Sequence, residues 1–163
     1  MSELELWPDD GKRQWRLITD MVMGGVSQGT LHTPVAGELS PVRMHGAVST
    51  ENNGGFIQIA MDLQQDGGRF DASDYAGIRL EVSGNGETYG VHLRTTDMVR
   101  PQQSYRQSFT APHHLTVLRL PFVDFVAHRI ETPFDPSRLR RIGLVAIGRA
   151  FDADLSVARL WLY

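Results

Sequence analysis

Phe56-Ile57-Gln58-Ile59-Ala60-Met61-Asp62-Leu63 alternates along its length. Ile57, Ile59, Met61 and Leu63 fall on one side, and Gln58, Ala60 and Asp62 on the other. A period of two is the spacing of a half-buried strand, because successive Cβ atoms leave opposite faces of the pleat. Residues 77–83 repeat the pattern, with Ile78, Leu80 and Val82 against Arg79 and Glu81. Residues 89–95 do so again, with Val91 and Leu93 against His92 and Arg94. Between those two runs lies Ser83-Gly84-Asn85-Gly86-Glu87, whose Asn-Gly pair is the chemistry of a tight hairpin turn.

Further strands are expected over residues 15–18, 26–32, 42–48, 105–110, 115–120, 142–147 and 155–162. The last run changes phase, from Leu155 and Val157 to Leu160 and Leu162, which calls for a bulge near Ala158 or Arg159. Helical spacing is scarce. One short helix is expected over residues 123–129, and one turn at Asp135-Pro136-Ser137-Arg138-Leu139, with Asp135 as cap and Pro136 first in the turn. About ten short strands between turns specify an all-β sandwich or barrel. No repeat or linker interrupts residues 1–163, which read as one domain. Residues 1–10 are expected to be a loose arm or an edge strand carrying Leu4, Leu6 and Trp7.

The composition excludes several functions. A formal net charge of −3 argues against a large electrostatic footprint for nucleic acid, although the basic residues other than Lys12 are all arginines. The absence of cysteine removes disulfides, zinc thiolate sites and cysteine nucleophiles. The first ten residues are acidic and lack an apolar signal core, and no run is long enough to span a bilayer, so no integral membrane segment is expected and the expected location is cytoplasmic. The six histidines have no metal-ligand spacing, and no compact Asp/Asn loop supplies the oxygens that calcium needs. No metal or cofactor is expected.

Two glycine-rich segments stand out: Asp20-Met21-Val22-Met23-Gly24-Gly25-Val26-Ser27-Gln28-Gly29 and Ser49-Thr50-Glu51-Asn52-Asn53-Gly54-Gly55-Phe56. A phosphate cradle needs a strand before the loop, a helix after it and usually a lysine. Here a strand follows and there is no lysine, so tight connections between strands are the better reading. The segments, followed by Leu-Pro-Phe-Val-Asp-Phe at 120–125, resemble the complex I intermediate-associated protein family (the CIA30-type domain). Trp15, Asp20, Met23, Gly24, Gly25 and Ser27 match one family motif. Ser49, Glu51, Asn52, Asn53, Gly54, Gly55 and Phe56 match a second. Gly84, Gly86, Tyr89, Arg94, Tyr105, Pro121, Phe122 and Phe125 match further positions. Asn85 stands where the family usually has aspartate, and Ala127-His128-Arg129 where it tends to carry an Arg-Gly-Arg-like element.

The resemblance implies a galactose-binding-like jelly-roll β-sandwich. It also implies a non-catalytic, chaperone-like role in respiratory complex I assembly, with a protein partner among the subunits or assembly factors. Asp20, Met23, Gly24, Gly25, Ser27, Glu51, Asn52, Asn53 and Arg94 are then the candidate binding residues. A second reading is a small-molecule or carbohydrate module that uses His92, Arg94 and Tyr105 on a concave sheet face. Of the rings available for sugar stacking, Trp15 and Trp161 are expected in the core, which leaves Trp7, Tyr89 and Tyr105. A third reading is an enzyme pairing Asp20 and Glu51 as acid and base. Loop carboxylates more commonly tie turns together by accepting backbone N–H bonds.

Overall fold

The structure is a computed structural model that describes residues 3–8, 12–34 and 41–163. Among the described residues twelve strands form in chain order: β1 (Leu4–Trp7), β2 (Trp15–Thr19), β3 (Gln28–His32), β4 (Val42–Val48), β5 (Phe56–Asp62), β6 (Gly77–Gly84), β7 (Thr88–Thr95), β8 (Ser104–Thr110), β9 (Thr116–Pro121), β10 (Val126–His128), β11 (Leu139–Ile147) and β12 (Phe151–Leu162). They build two antiparallel sheets of a jelly-roll sandwich. The first runs β3-β4-β12-β6-β9, with β1 also on β12; the second runs β10-β8-β7-β11-β5-β2. Among the described residues there is no α-helix, and no helix is long and apolar enough to cross a membrane.

The alternating runs put their apolar halves into the space between the sheets. Ile57, Ile59 and Met61 of β5 meet Ile78, Leu80 and Val82 of β6, with Tyr89, Val91 and Leu93 of β7, in one buried cluster. β12 is long enough to serve three neighbours. Its first half pairs with β4, its second half with β1, and its other edge with β6. The register slips between Val157 and Arg159, the bulge that the change of phase required. The strand Leu4–Trp7 lies within the segment read as an arm or edge strand, and residues 1, 2, 9 and 10 of that segment lie outside the described residues.

Two local expectations are corrected. The helix expected over residues 123–129 is a single 3-10 turn, Phe122–Asp124, followed by β10. Phe122 and Phe125 both reach the core, and the chain beyond Phe125 extends because Val126 and His128 pair with Arg106 and Ser104 of β8. The Ser83-to-Glu87 turn does not close a hairpin. β6 and β7 belong to different sheets, and the turn carries the chain across the sandwich. Gly84 N–H donates to Pro112 O at 2.7 Å and Gly86 N–H to Ala111 O at 2.8 Å, which ties it to the β8–β9 connection instead. The Asp135 turn forms as expected, with its carboxylate accepting from Ser137 N–H at 3.0 Å.

Both glycine-rich segments are also crossings between sheets. The first leads from β2 in the second sheet to β3 in the first; the second leads from β4 in the first to β5 in the second. β2 pairs with β5, and β3 with β4, so the two crossings are brought together at one end of the sandwich.

Candidate functional site

Asp20 opens a 3-10 turn, Asp20–Met23, that follows β2 directly. Thr19 caps it by accepting Met21 N–H on its hydroxyl at 3.3 Å. Gly24 ends it in the left-handed region at φ 87°, and Gly25 N–H returns to Asp20 O at 2.9 Å. This geometry turns the Asp20 side chain inward, where it is fully buried.

The buried carboxylate is met by donors from both segments. Oδ1 accepts Ser27 N–H at 3.0 Å. Oδ2 accepts the Ser27 hydroxyl at 2.5 Å, Gly55 N–H at 2.6 Å and Phe56 N–H at 3.3 Å. The Ser27 hydroxyl in turn accepts Ser49 N–H at 2.9 Å. Burial by itself raises the Asp20 pKa. The bonds from the Ser27 hydroxyl and from the Gly55, Ser27 and Phe56 N–H groups outweigh it, and hold the carboxyl below the ordinary 3.8.

The glycines make room for this contact. A Cβ on Gly25 would lie 2.5 Å from Asp20 Cγ, and one on Gly54 2.5 Å from Asp20 Oδ2. Two neighbours without side chains thus let the backbone close on both flanks of one carboxylate. The second segment has its own 3-10 turn, Glu51–Asn53, started by Ser49, whose hydroxyl accepts Glu51 N–H at 3.2 Å. Asn52 and Asn53 hold φ of 56° and 59°, left-handed values that asparagine tolerates. Their side chains and that of Glu51 are exposed.

The reading that pairs Asp20 and Glu51 as acid and base draws no support from this arrangement. Asp20 is closed off from solvent with both oxygens occupied, whereas Glu51 faces solvent. Asp20, Gly25 and Ser27 brace the segments, and Met23, at the end of the braced turn, is exposed. Met21, Val22, Met23 and Val26 are 66%, 76%, 58% and 41% exposed, so the braced turn lifts an apolar tip into water. Beside it lies a groove of about 550 Å³ lined by Leu17, Ile18, Thr19, Met21, Val22, Gln28 and Gly29.

His92, Arg94 and Tyr105 do not share a face. Tyr105 pairs with Leu93 across the β7–β8 register, and both point into the core. The Tyr105 hydroxyl donates to Thr132 O at 2.5 Å, and its ring packs on Phe134 at 5.1 Å. His92 and Arg94 lie on the opposite, outer face. Nη1 of Arg94 donates to the carbonyls of Arg100, Pro101 and Gln103 at 3.2, 3.0 and 2.9 Å, so it holds the β7–β8 connection in place. His92 is half-buried. Burial first, and then the positive Arg106 and His128, push its pKa down to about 3. The sugar-platform expectation also fails, because Trp7, Tyr89 and Tyr105 are buried along with Trp15 and Trp161.

Tyr89 explains the departure at Asn85. Its hydroxyl donates to Asn85 Oδ1 at 2.6 Å and accepts Asp154 N–H at 2.9 Å. An aspartate offers the same acceptor. Asparagine adds a donor, which reaches Asp152 O at 2.8 Å. The residues that sequence reasoning missed are Arg106 and Ser108. The alternation in β8, with Tyr105 and Phe109 buried, puts them on the outer face beside His92.

The buried set Asp20, Gly25, Ser27 and Gly55 coincides with the two motifs, and the family model for complex I intermediate-associated protein 30 (CIA30) matches residues 4–157. The chain belongs to the CIA30 family. No curated protein matches it significantly. Solved structures share the fold of this CIA30 domain. A family 30 carbohydrate-binding module of a cellulosomal cellulase of Clostridium thermocellum aligns with TM-score 0.70 at 13% identity, covering 100% of this chain and 98% of its own. A family 11 module of Clostridium thermocellum, solved with a β-1,3-1,4-mixed-linked tetrasaccharide, aligns with TM-score 0.65 at 12% identity over 98% and 94%. A family 29 module aligns with TM-score 0.59 at 8% identity over 100% and 92%. At these identities the likeness is one of fold.

Proposed function

We propose that this CIA30 domain is a non-catalytic binding module that docks a protein partner in respiratory complex I assembly, through the apolar tip Met21, Val22, Met23 and Val26. The observation that carries this reading is the combination of a fully buried carboxylate brace with four exposed apolar side chains on the segment it braces. Exposing large apolar groups costs solubility, so a contiguous set of them on a rigid turn marks an interaction surface. Methionine suits such a surface, because its unbranched, polarisable side chain adapts to its neighbour. Asp20, Gly24, Gly25, Ser27, Asn52 and Asn53 then act by shaping the turns, and Met23 by contact. Glu51 supplies a charged rim.

The test is complementation. In a native-host strain lacking the gene, assembled complex I on native gels is expected to fall. The wild-type chain is expected to restore it, and a Met21→Ser/Val22→Ser/Met23→Ser variant is not. Full rescue by that variant would refute the docking surface. Undiminished complex I in the deletion strain would refute the assembly role.

The second reading, a small-molecule or glycan module, draws on the fold and on His92 at the outer face of the second sheet. It has no aromatic platform among the rings first considered, since all five are buried. A thermal-shift screen of neutral oligosaccharides that shows stabilisation would favour it over the docking reading.

A further inference from the structure

The outer face of β7 and β8 carries a second concavity that shares no lining residue with the groove beside Met21. It is a trough of about 320 Å³, within the range of small-molecule sites, bordered by Thr88, Gly90, His92, Arg106, Ser108 and Arg149. Gly90 forms part of its floor. In the register, Gly90 faces Ser108 and His92 faces Arg106. A Cβ on Gly90 would sit 3.4 Å from His92 Nε2, so the imidazole lies over that floor.

Among the described residues no acidic side chain lines the trough. Arg149 is already paired with Glu87 and stacks on Phe151 at 3.9 Å. Arg106 has no carboxylate partner among the described residues. Its one side-chain bond runs from Nε to Ser104 Oγ at 2.7 Å, which fixes the guanidinium plane and leaves both terminal nitrogens as donors. A planar guanidinium with two parallel donors and a neighbouring hydroxyl matches an oxyanion. Burial first, and then neighbouring Arg129, holds the Arg106 pKa below its usual value, and a bound anion would offset both.

We propose that this trough is an oxyanion site, taking the carboxylate or phosphate group of a small molecule on the Arg106 guanidinium, with Ser108 and Thr88 as hydroxyl donors. His92, neutral at physiological pH, lines the floor without competing for the negative charge. The site is independent of the docking tip, so either can fail without the other.

The test is an NMR titration of the whole chain at fixed ionic strength with glucuronate, inorganic phosphate and glucose. Saturable shifts at Arg106, Ser108 and His92 are expected with glucuronate or phosphate, and none with glucose. The anion that binds more tightly identifies carboxylate or phosphate as the ligand group. Arg106→Gln is expected to weaken binding at least about tenfold. Ser108→Glu sits on the exposed face, leaves the core untouched and puts a carboxylate two residues from Arg106 on the same face of β8; it is expected to abolish binding. A bound anion is also expected to raise the His92 titration from about 3, a shift that a purely structural arginine would not produce. The proposal is overturned if neither anion shifts these signals, if glucose shifts them equally, or if Arg106→Gln and Ser108→Glu bind like the wild type.

Discussion

Asp20→Asn removes the charge at the centre of the brace and keeps the shape of the side chain. An amide offers one acceptor where the carboxylate offered two. If its oxygen takes the Oδ2 position, the Ser27 hydroxyl and the Gly55 and Phe56 N–H groups keep a partner, but a neutral one. Its NH₂ then faces Ser27 N–H, now 3.0 Å from a donor instead of an acceptor. A stranded buried donor costs about 1–3 kcal/mol, and weakening three charge-assisted bonds adds about 1–2 kcal/mol. The reverse rotamer strands three donors and costs more. The expected loss is therefore about 2–5 kcal/mol, or a Tm lowered by roughly 5–15 °C for a chain of this size. The folded Asp20 pKa lies below 3.8. Its contribution is thus present in full above 3.8 and is lost as pH falls through the lower folded value. The gap between wild type and variant should be constant from pH 7 to pH 5 and narrow only in strong acid. Urea unfolding of both proteins at pH 7 measures it, and a difference under about 0.5 kcal/mol refutes the brace.

Gly25→Ala should cost more than Gly24→Ala. The first puts a Cβ 2.5 Å from Asp20 Cγ, whereas the second meets nothing within 4 Å and pays only the strain of φ +87°, about 1–2 kcal/mol. Equal melting temperatures for the two variants would contradict the close-approach argument. Gly24→Val and Gly55→Val, at φ +87° and +133°, should both unfold at clearly lower temperature, and wild-type melting of either would count against strain there. His92 stays neutral in the fold to about pH 3, while in the unfolded chain it gains its proton near 6.5. The stability linked to it is present above 6.5 and lost as pH falls towards 3, at most about 2 kcal/mol by pH 5. His92→Gln should flatten stability between pH 7 and pH 5, and an unchanged slope would show that His92 is not the group responsible.

The strands were legible because each buries one face, and burial on one face writes a period of two into the sequence. The β12 bulge was legible for the same reason, as a break in that period at Val157 to Leu160. Pairing was not. Gly84-Asn85-Gly86 carries the chemistry of a turn, but whether a turn closes a hairpin or crosses between sheets depends on partners distant in sequence, here Ala111 and Pro112. The spacing of Phe122 and Phe125 suits a helix and also a single 3-10 turn leading into an edge strand. At the site, glycines beside a carboxylate announced close approach without its direction. Asp20 reads equally as an acid or a brace until its distances to Gly55 and Ser27 are known. Tyr105 falls on the buried face because it pairs with Leu93, a register that the alternation of either strand alone does not reveal.

The central claim, that the braced tip meets a protein, is tested most directly by site-specific photocrosslinking in the native host. A photoreactive residue at Val22, 76% exposed on the tip, is compared with one at Val117, 54% exposed on the far edge strand β9. Crosslinks from position 22 to a complex I subunit or assembly factor, absent from position 117, are the result expected. No crosslink at position 22, or the same products from both positions, would contradict the account.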